Sequence, residues 1–253
     1  MKKLLASDLD GTLILKDKIS EKDILAVNTF REKGGIFTVS TGRPMNGVRN
    51  IEKENNIIVD YFILLNGAYV LNSKKEVLRH LFINKDIARE IVDGLGREKK
   101  RIGIDTGEST YLFGSVEDFP FENAIAIEDF SEIKEDISVI AMDFENTNIE
   151  KLEEIKDGLI KKYGKYVEVY RNTKYIDIVP IGCSKGTGVE LIADITDIES
   201  KDIFTIGDSF NDTPMFEITE NSFTFHRAEI GVKEIAQNLV EDVSECIRDY
   251  ILV

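Results

Sequence analysis

The sequence predicts an α/β fold, in which a doubly wound parallel sheet forms a Rossmann-like core and an α/β cap domain is inserted into it. Short apolar runs alternate with amphipathic helical segments in the first third of the chain, which is the βαβαβ pattern of a parallel sheet. The same alternation returns after residue 184. The block between has strands and helices of its own, so we expect a core of residues 1–79 and 184–253 and a cap of residues 80–183.

The elements of the predicted core follow from apolar runs and their boundary residues. Ser20 resembles a helix N-cap, and the Gly34-Gly35 pair ends the helix that follows it. A second helix is predicted from about residue 44 to residue 55, because a proline suits its first turn. The predicted core strands span residues 4–6, 36–39, 61–65, 202–206 and 223–225, with C-terminal helices at 232–236 and 243–250.

The predicted cap has a different texture. Ile87, Ile91 and Leu95 recur at a spacing of four, which indicates an amphipathic helix, and a second helix is predicted over residues 149–163. Its strands are predicted at residues 102–104, 111–113, 137–144, 166–170 and 175–179. We expect the two linkers near residues 79–83 and 180–184.

Composition narrows the classes of partner. The chain has 253 residues and carries 32 basic against 47 acidic side chains, for a net charge of −15. Such a charge repels nucleic-acid backbones and anionic membranes, so we expect a small molecule as the partner, with no nucleic acid and no membrane. Cys183 and Cys246 lack the spacing of a metal site, and no signal segment is visible. A cytoplasmic location is the expectation.

Two carboxylates follow the first buried run directly. Asp8 at the end of a buried strand faces the crevice where open α/β sheets bind ligands, which makes it a candidate nucleophile. Asp10, two residues on, could shuttle a proton, and Gly11 lets the backbone approach a phosphate. Carboxylates facing a phosphate need a cation, so the pattern predicts Mg²⁺. The alternative for the tetrapeptide Asp8-Leu9-Asp10-Gly11, taken alone, is an ordinary surface turn.

Polar residues also follow three later elements. Thr41 ends the second strand, Lys185 stands at a loop-to-helix junction, and Asp208 and Asp212 follow the fourth strand. Each has a plain alternative: a strand-end cap for Thr41, a solvated surface lysine for Lys185, and a helix N-cap or partial calcium loop for the last segment. That segment lacks the twelfth-position glutamate of a calcium loop.

Together, the motifs Asp8-x-Asp10-Gly11-Thr12, Thr41-Gly42-Arg43, Lys185-Gly186 and Gly207-Asp208-x-x-Asn211-Asp212 resemble the haloacid dehalogenase superfamily of phosphohydrolases. The position of the insert resembles the Cof-type sugar-phosphate phosphatase branch. The resemblance implies Asp8 as the nucleophile and Asp10 as the general acid and base. It implies phosphate binding by Gly11, Thr41, Gly42, Lys185 and Asn211, substrate binding by Arg43 and Asn66, and a Mg²⁺ site of Asp8, Asp10, Asp208 and Asp212. Asp10 would reach the ion through its backbone carbonyl, and Asp212 directly or through water.

The expected function is Mg²⁺-dependent hydrolysis of a small phosphorylated metabolite, such as a sugar phosphate, through a phospho-aspartate. Two alternatives stay open here: a phosphotransferase or mutase on the same fold, and a phospho-acceptor signalling module, against which the large insert and Asp10 count. His80 and His226 are interpreted as structural or rim residues. One departure from the family pattern is Phe225-His226-Arg227-Ala228, where a small Gly-Asn-Ala loop is usual.

Overall fold

The structure, a computed structural model, describes residues 2–95, 101–117, 119, 124–144 and 147–253. The first part of the chain contributes β1 (Leu4–Ser7), β2 (Ile14–Leu15), β3 (Lys18–Ile19), α1 (Glu21–Glu32), β4 (Ile36–Ser40), α2 (Ile51–Asn55), β5 (Tyr61–Leu64), β6 (Tyr69–Asn72) and β7 (Val77–His80). The middle part contributes α3 (Lys85–Gly94), β8 (Arg101–Asp105), β9 (Thr110–Phe113), β10 (Ala124–Ile127), β11 (Val139–Asp143), α4 (Ile149–Tyr163), β12 (Val167–Asn172) and β13 (Tyr175–Pro180). The last part contributes α5 (Lys185–Thr196), β14 (Ile203–Ile206), α6 (Thr213–Phe216), β15 (Ser222–Phe225), α7 (Ile230–Lys233), β16 (Asn238–Val240) and α8 (Val243–Cys246).

The core sheet has the strand order β16-β15-β14-β1-β4-β5-β6-β7 within the described residues. Strands β16 to β5 are parallel, and β6 and β7 add an antiparallel edge. From the central strand β1, the chain builds outward through β4 and β5 on one side and later through β14 to β16 on the other. Open α/β sheets hold their ligands at such a reversal, at the carboxyl ends of the strands. The predicted doubly wound parallel core is confirmed.

Helices cover both faces of this sheet, as the alternation of strand side chains requires. Leu5 belongs to an apolar cluster that includes Val27 of α1. Leu4, its neighbour in the chain, belongs to the opposite cluster, which includes Val189 of α5. Burial on both faces explains why the strands read as continuous apolar runs.

A second sheet forms the inserted cap, with the order β10-β9-β8-β11-β13-β12 among the described strands. One face packs on α3 and α4 through a cluster that includes Ile104 and Ile178. The other face is turned toward the core, because Val139 and Val179 share an apolar cluster with Leu65 of the core. The predicted inserted α/β cap is therefore confirmed.

The predicted helix over residues 44–55 is wrong. The chain instead forms a 3₁₀ turn at Met45–Gly47 and the short helix α2. In a continuous helix the Gly47 carbonyl would accept from the Ile51 N–H. That carbonyl accepts from Arg43 Nη1 at 2.9 Å, and the Ile51 N–H donates to the Val48 carbonyl instead. An arginine that is also part of the candidate site therefore interrupts the helix.

Other differences concern short elements. The hairpin of β2 and β3, the edge strands β6 and β7, and the strands β10 and β16 were not predicted, because runs of two to four residues show little periodicity. Helix α7 ends at Lys233, earlier than predicted, and α8 continues into a π-helical turn at Ile247–Ile251. Among the described helices, none combines the length and the apolar character that a membrane span requires.

The chain crosses back from cap to core next to Gly67. A Cβ at this residue would lie 2.1 Å from the carbonyl oxygen of Ser184, and its φ is +96°. Both the space and the left-handed backbone therefore require glycine. β7 ends at His80 and β13 ends at Pro180, next to the two expected linkers. The domain boundaries at residues 80 and 183 stay a prediction.

Candidate active site

The carboxyl ends of three neighbouring strands meet at one point of the core sheet. Ser7 at the end of β1 pairs in register with Val39 of β4 and Ile206 of β14. The residues that follow these strands therefore arrive side by side. Asp8 comes next after β1, and Asp208 lies two residues beyond the end of β14.

Lys185, the first residue of α5, connects two carboxylates at this point. Its Nζ donates to Asp8 Oδ1 and to Asp212 Oδ1, each at 2.6 Å, and its side chain is 0% exposed. Burial disfavours the charged ammonium, but the adjacent Asp212 and Asp8 carboxylates outweigh this effect and raise the pKa of Lys185. The alternative of a solvated surface lysine is wrong, because a lysine buried between two carboxylates is a cationic part of the site.

Three carboxylates form an acidic cluster around this lysine. Asp8, Asp208 and Asp212 each place a potential ligand oxygen within 4.8 Å of the others. Burial, opposed by Lys185, raises the pKa of Asp8 well above its usual range, and burial with repulsion from Asp212 raises that of Asp208 to about 6. A bound cation would relieve this repulsion, and an all-oxygen donor set suits a hard cation such as Mg²⁺. The residues present therefore fit a metal ion.

Asp212 differs from the other two carboxylates because the protein already satisfies both of its oxygens. Oδ1 accepts from Lys185, and Oδ2 accepts from the backbone N–H groups of Asp208 and Ser209 at 2.9 Å. This pattern favours the indirect version of its predicted metal role, in which Asp212 supports the ion through water.

Asp10 lies outside the acidic cluster that the described residues form. Its half-exposed carboxylate pairs with Arg43, which donates from Nε to Oδ2 at 2.7 Å and from Nη2 to Oδ1 at 2.5 Å. Two parallel hydrogen bonds of this kind fix the geometry of both partners. The predicted substrate-binding Arg43 thus lies against the predicted acid and base. The metal contact predicted for the Asp10 backbone carbonyl stays a prediction.

Thr41 and Gly11, two of the predicted phosphate binders, lie against other residues of the site. Thr41 is buried, and its Oγ1 accepts from the Arg43 N–H at 3.1 Å. Gly11, whose φ is +83°, lies against Asp208, since a Cβ there would be 2.4 Å from Asp208 Oδ2. The backbone at Gly11 therefore approaches a predicted metal ligand closely. The phosphate contacts predicted for Gly11, Thr41 and Gly42 stay predictions.

A chain of amide side chains links the core site to the cap. Asn211 Nδ2 donates to Asn66 Oδ1 at 3.1 Å, and Asn66 Nδ2 donates to Asp177 Oδ2 of β13 at 2.8 Å. A Cβ on Gly42 would lie 3.3 Å from the same Asp177 oxygen. Asn211 and Asn66 therefore reach the domain interface, and their phosphate and substrate contacts stay predictions.

Arg227, in the segment that departs from the family pattern, contacts the backbone at Gly11. Its Nη2 donates to the Gly11 carbonyl at 2.7 Å, and its guanidinium lies 3.7 Å from the centre of the Phe225 ring. The rim of the pocket next to Asp208 is thus formed by an arginine. His226 is exposed beside Glu241, as expected of a rim residue.

The cap face that is turned toward the core carries two buried carboxylates that the sequence analysis did not select. Register places Asp177, Ala141 and Gly103 in one row of that face, and Asp105 lies two residues beyond Gly103 on the same face. Thr110 Oγ1 donates to Asp105 Oδ1 at 2.6 Å. A single acidic residue inside the apolar run of residues 175–179 was the signal that could have identified Asp177.

Asp105 provides a test of this face through stability. It is 4% exposed, and burial raises its pKa to about 7, partly offset by the Thr110 hydrogen bond. The folded protein thus holds this proton more tightly than the unfolded chain, whose aspartates titrate near pH ~4, so stability falls as pH rises from there to pH ~7. Asp105→Asn cannot titrate, so the variant does not lose this stability as the pH rises. Its free energy of unfolding at high pH should exceed that of wild type by at most roughly 4 kcal/mol, because each pKa unit is worth about 1.4 kcal/mol.

The measurement is urea unfolding of wild type and Asp105→Asn at pH 5 and pH 8. We expect the variant to gain relative to wild type at the higher pH. A difference between the two proteins that does not change with pH would contradict a raised pKa for Asp105.

The fold and this site together define a class of protein: a capped α/β enzyme that acts on phosphate esters. A family model for haloacid dehalogenase-like hydrolases matches residues 5–246. The chain belongs to this family. The mainly parallel core and the separate inserted cap sheet resemble the folds of a solved subclass IIB sugar phosphatase and of a solved Cof-like hydrolase.

Relatives and solved structures agree with this assignment. The 5-amino-6-(5-phospho-D-ribitylamino)uracil phosphatase YwtE of Bacillus subtilis is 25% identical, over 92% of this chain and 90% of the relative. A haloacid dehalogenase-like hydrolase structure from B. subtilis has a TM-score of 0.86 at 22% identity and covers 99% of this chain and 100% of its own. The subclass IIB sugar phosphatase BT4131 has a TM-score of 0.83 at 20% identity, with coverage of 99% and 100%. The likeness to these two structures concerns the fold.

Proposed function

We propose that this phosphatase hydrolyses a sugar phosphate in a Mg²⁺-dependent reaction, with Asp8 as the nucleophile. The observation that supports the proposal best is the buried ammonium of Lys185, which donates to Asp8 Oδ1 and to Asp212 Oδ1 at 2.6 Å each. Asp208 lies beside this group. A lysine in this position orients Asp8 and offers positive charge to an arriving phosphate. For stability alone, apolar side chains would serve at least as well as a buried lysine between two carboxylates, so the arrangement points to a function.

The first step transfers the phosphoryl group to the protein. An Asp8 carboxylate oxygen attacks phosphorus and forms a P–O bond, while the bond between phosphorus and the ester oxygen breaks. Asp10 gives its proton to the departing oxygen and so becomes a carboxylate. Arg43 has to release Asp10 for this role, and the phosphate dianion is the competing anion that its guanidinium would bind.

The second step returns the protein to its starting state. Asp10, now deprotonated, takes a proton from a water molecule, and the resulting hydroxide oxygen attacks phosphorus. The bond between phosphorus and Asp8 breaks, which releases inorganic phosphate and regenerates the Asp8 carboxylate. Lys185 keeps its hydrogen bond to the carboxylate that leaves.

Asp8 and Asp208 would hold the metal ion, and Asp212 would support it through water. When bound, Mg²⁺ offsets the charge that a phosphate dianion adds beside these carboxylates. Thr12 Oγ1 donates to Asp208 Oδ1 at 3.0 Å and so holds that carboxylate in place. Arg227, beside Gly11, adds a further positive charge at the rim.

The leaving group would lie against the cap face that carries Asp105 and Asp177. Carboxylates accept hydrogen bonds, so this face suits a leaving group rich in hydroxyls. Gly103 and Ala141 lie in the same row as Asp177 and add little bulk to it. The names of two similar proteins, a sugar phosphatase and a phosphatase of a ribityl compound, support the same class.

We expect activity to require Mg²⁺ and to disappear in excess chelator, because Asp8, Asp208 and the substrate dianion otherwise repel one another. Adding Mg²⁺ to the metal-free protein should also raise its melting temperature, since the ion binds the folded form. Asp208→Asn is the matched variant and should lose most of this thermal shift. Full turnover in excess chelator would refute the metal requirement.

The substrate class is tested with purified protein and a panel of phosphorylated metabolites that includes sugar phosphates, an aryl phosphate and nucleotides. We expect the highest kcat/KM with a sugar phosphate. Asp177→Asn should lower kcat/KM for that sugar phosphate more than for the aryl phosphate. Equal losses on both substrates would count against a leaving-group contact at the cap face.

A further inference from the structure

Arg171 is a charged cap residue that contacts the core directly. It lies near the end of β12, the edge strand of the cap sheet, and its side chain is 3% exposed. A buried guanidinium needs partners for its five donors, and these partners come from both domains.

The core partner of Arg171 is Glu229, directly before α7. Nη1 and Nη2 donate to the two oxygens of Glu229 at 2.9 and 2.8 Å, so the pair is bidentate. The cap partner is Glu153 of α4, which accepts from Nε at 2.5 Å. Glu153 also pairs with Lys156, inside the cap. One arginine therefore joins a cap helix to a core helix.

The same guanidinium lies on a core aromatic ring. Its centre is 4.5 Å from the centre of the Phe210 ring, on the segment that carries Asp208 and Asp212. Phe210 also lies against α7, because a Cβ on Gly231 would be 2.9 Å from Phe210 Cζ. Two residues further along the cap hairpin, the Thr173 N–H donates to Ser209 Oγ at 3.3 Å. The tip of the β12–β13 hairpin therefore packs on the segment from residue 207 to residue 212.

The position of this contact in the fold gives it leverage. The hairpin turns between Asn172 and Tyr175, whereas its other end, at Pro180, leads into the linker. Six residues of extended strand separate the two ends, roughly 20 Å at ~3.3 Å per residue. A movement of the cap about its linkers would thus separate Arg171 from Glu229 and Phe210 before it disturbed the linkers.

The segment beneath the contact holds its shape through a few hydrogen bonds. The Asp208 and Ser209 N–H groups both donate to Asp212 Oδ2, so the two acidic residues are fixed relative to each other by the turn that contains Phe210. If Phe210 loses the guanidinium, one wall of its pocket is lost and the turn gains freedom.

We propose that Arg171 is a positioning residue, which couples the seated cap to the geometry of the segment that carries Asp208 and Asp212. When the cap is packed on the core, Arg171 contacts both Phe210 and Glu229. The carboxylates of Asp208 and Asp212 are then held in the geometry that binds the ion. The part of this inference that concerns metal affinity rests on the proposed function. The part that concerns the order of residues 207–212 does not.

The test uses the full-length protein and three single variants: Arg171→Gln, Glu229→Gln and the matched control Glu153→Gln. Glu229→Gln breaks the contact between domains, whereas Glu153→Gln removes a partner of the same arginine inside the cap. Hydrogen–deuterium exchange of the peptide that covers residues 207–212, in metal-free protein, reports the order of the segment. Mn²⁺ binding, followed by the electron paramagnetic resonance signal of the free ion, reports the affinity of the site.

We expect faster exchange at residues 207–212 in Arg171→Gln and Glu229→Gln, together with Mn²⁺ binding that is about tenfold weaker, the lower end of the effects seen for groups that orient metal ligands. Glu153→Gln should match wild type in both measurements. The double variant Arg171→Gln/Glu229→Gln should lose no more than Arg171→Gln alone, because both changes remove one contact. Glu229 is partly exposed, so Glu229→Gln remains informative if Arg171→Gln fails to fold.

Unchanged exchange in Glu229→Gln and Arg171→Gln would overturn the proposal. An equal effect of Glu153→Gln would also overturn it, because the arginine would then only brace the cap. If wild type bound no Mn²⁺ while the exchange pattern appeared as expected, the metal-dependent function would fail and the positioning role of Arg171 would stand.

Discussion

Asp8→Asn should lower kcat by several orders of magnitude while the protein stays folded. An amide of the same shape can keep the hydrogen bond from Lys185, but it cannot attack phosphorus to form the acyl phosphate. The change also removes one of the three clustered carboxylates, that of Asp8, whose own burial raises its pKa. We therefore expect the melting temperature of the metal-free variant to equal or exceed that of wild type.

The measurements are steady-state kinetics on the best substrate of the panel and thermal unfolding without metal. Asp23→Asn is the matched control, since Asp23 is a buried carboxylate outside the acidic cluster of Asp8, Asp208 and Asp212. It accepts hydrogen bonds from Ser20 and from the Ser244 N–H. That control should keep kcat. Appreciable residual hydrolysis by Asp8→Asn would reassign the nucleophile.

Asp10→Asn should slow both chemical steps, because asparagine neither protonates the leaving oxygen nor deprotonates water. Where the second step suffers more, phosphorylated Asp8 accumulates and can be trapped by acid quench with labelled substrate. The double variant Asp8→Asn/Asp10→Asn should trap nothing.

Arg43→Gln separates the two partners of the ion pair. It should leave Asp10 able to exchange protons and should mainly raise KM, because the guanidinium is lost as a phosphate ligand.

Wild-type turnover by Asp10→Asn would point to another acid. Label on a residue other than Asp8 would overturn the mechanism.

The core of the fold could be predicted because its signals are local. An apolar run that stops at a polar residue identifies a parallel strand and its carboxyl end together, so Asp8, Thr41 and Asp208 were expected to meet at one edge. The structure brings them together through the register of β1 with β4 and β14. Lys185 was expected at a loop-to-helix junction, and its burial between Asp8 and Asp212 goes beyond what such a junction indicates.

The contacts between the domains could not be predicted, because their partners are distant in the chain. Asp177 lies 111 residues from Asn66, and Arg171 lies 58 residues from Glu229. Their pairing depends on how one folded domain sits on the other, and no periodicity in the sequence reports that. The interruption of the helix predicted over residues 44–55 has a similar origin, since a side chain outside the helix, that of Arg43, takes the Gly47 carbonyl.

The close approach at Gly67 bears on how sequences of this kind can diverge. Any side chain at Gly67 collides with the backbone of Ser184, whereas a Cβ at Gly103 in the middle of the cap face would meet only ordinary contacts, the nearest at 3.5 Å. The crossing from cap to core at Gly67 thus accepts no side chain unless the backbone shifts, whereas the cap face at Gly103 has space for a Cβ. Single substitutions on the cap sheet could therefore change the face that we propose contacts the leaving group, while the close packing at Gly67 is kept.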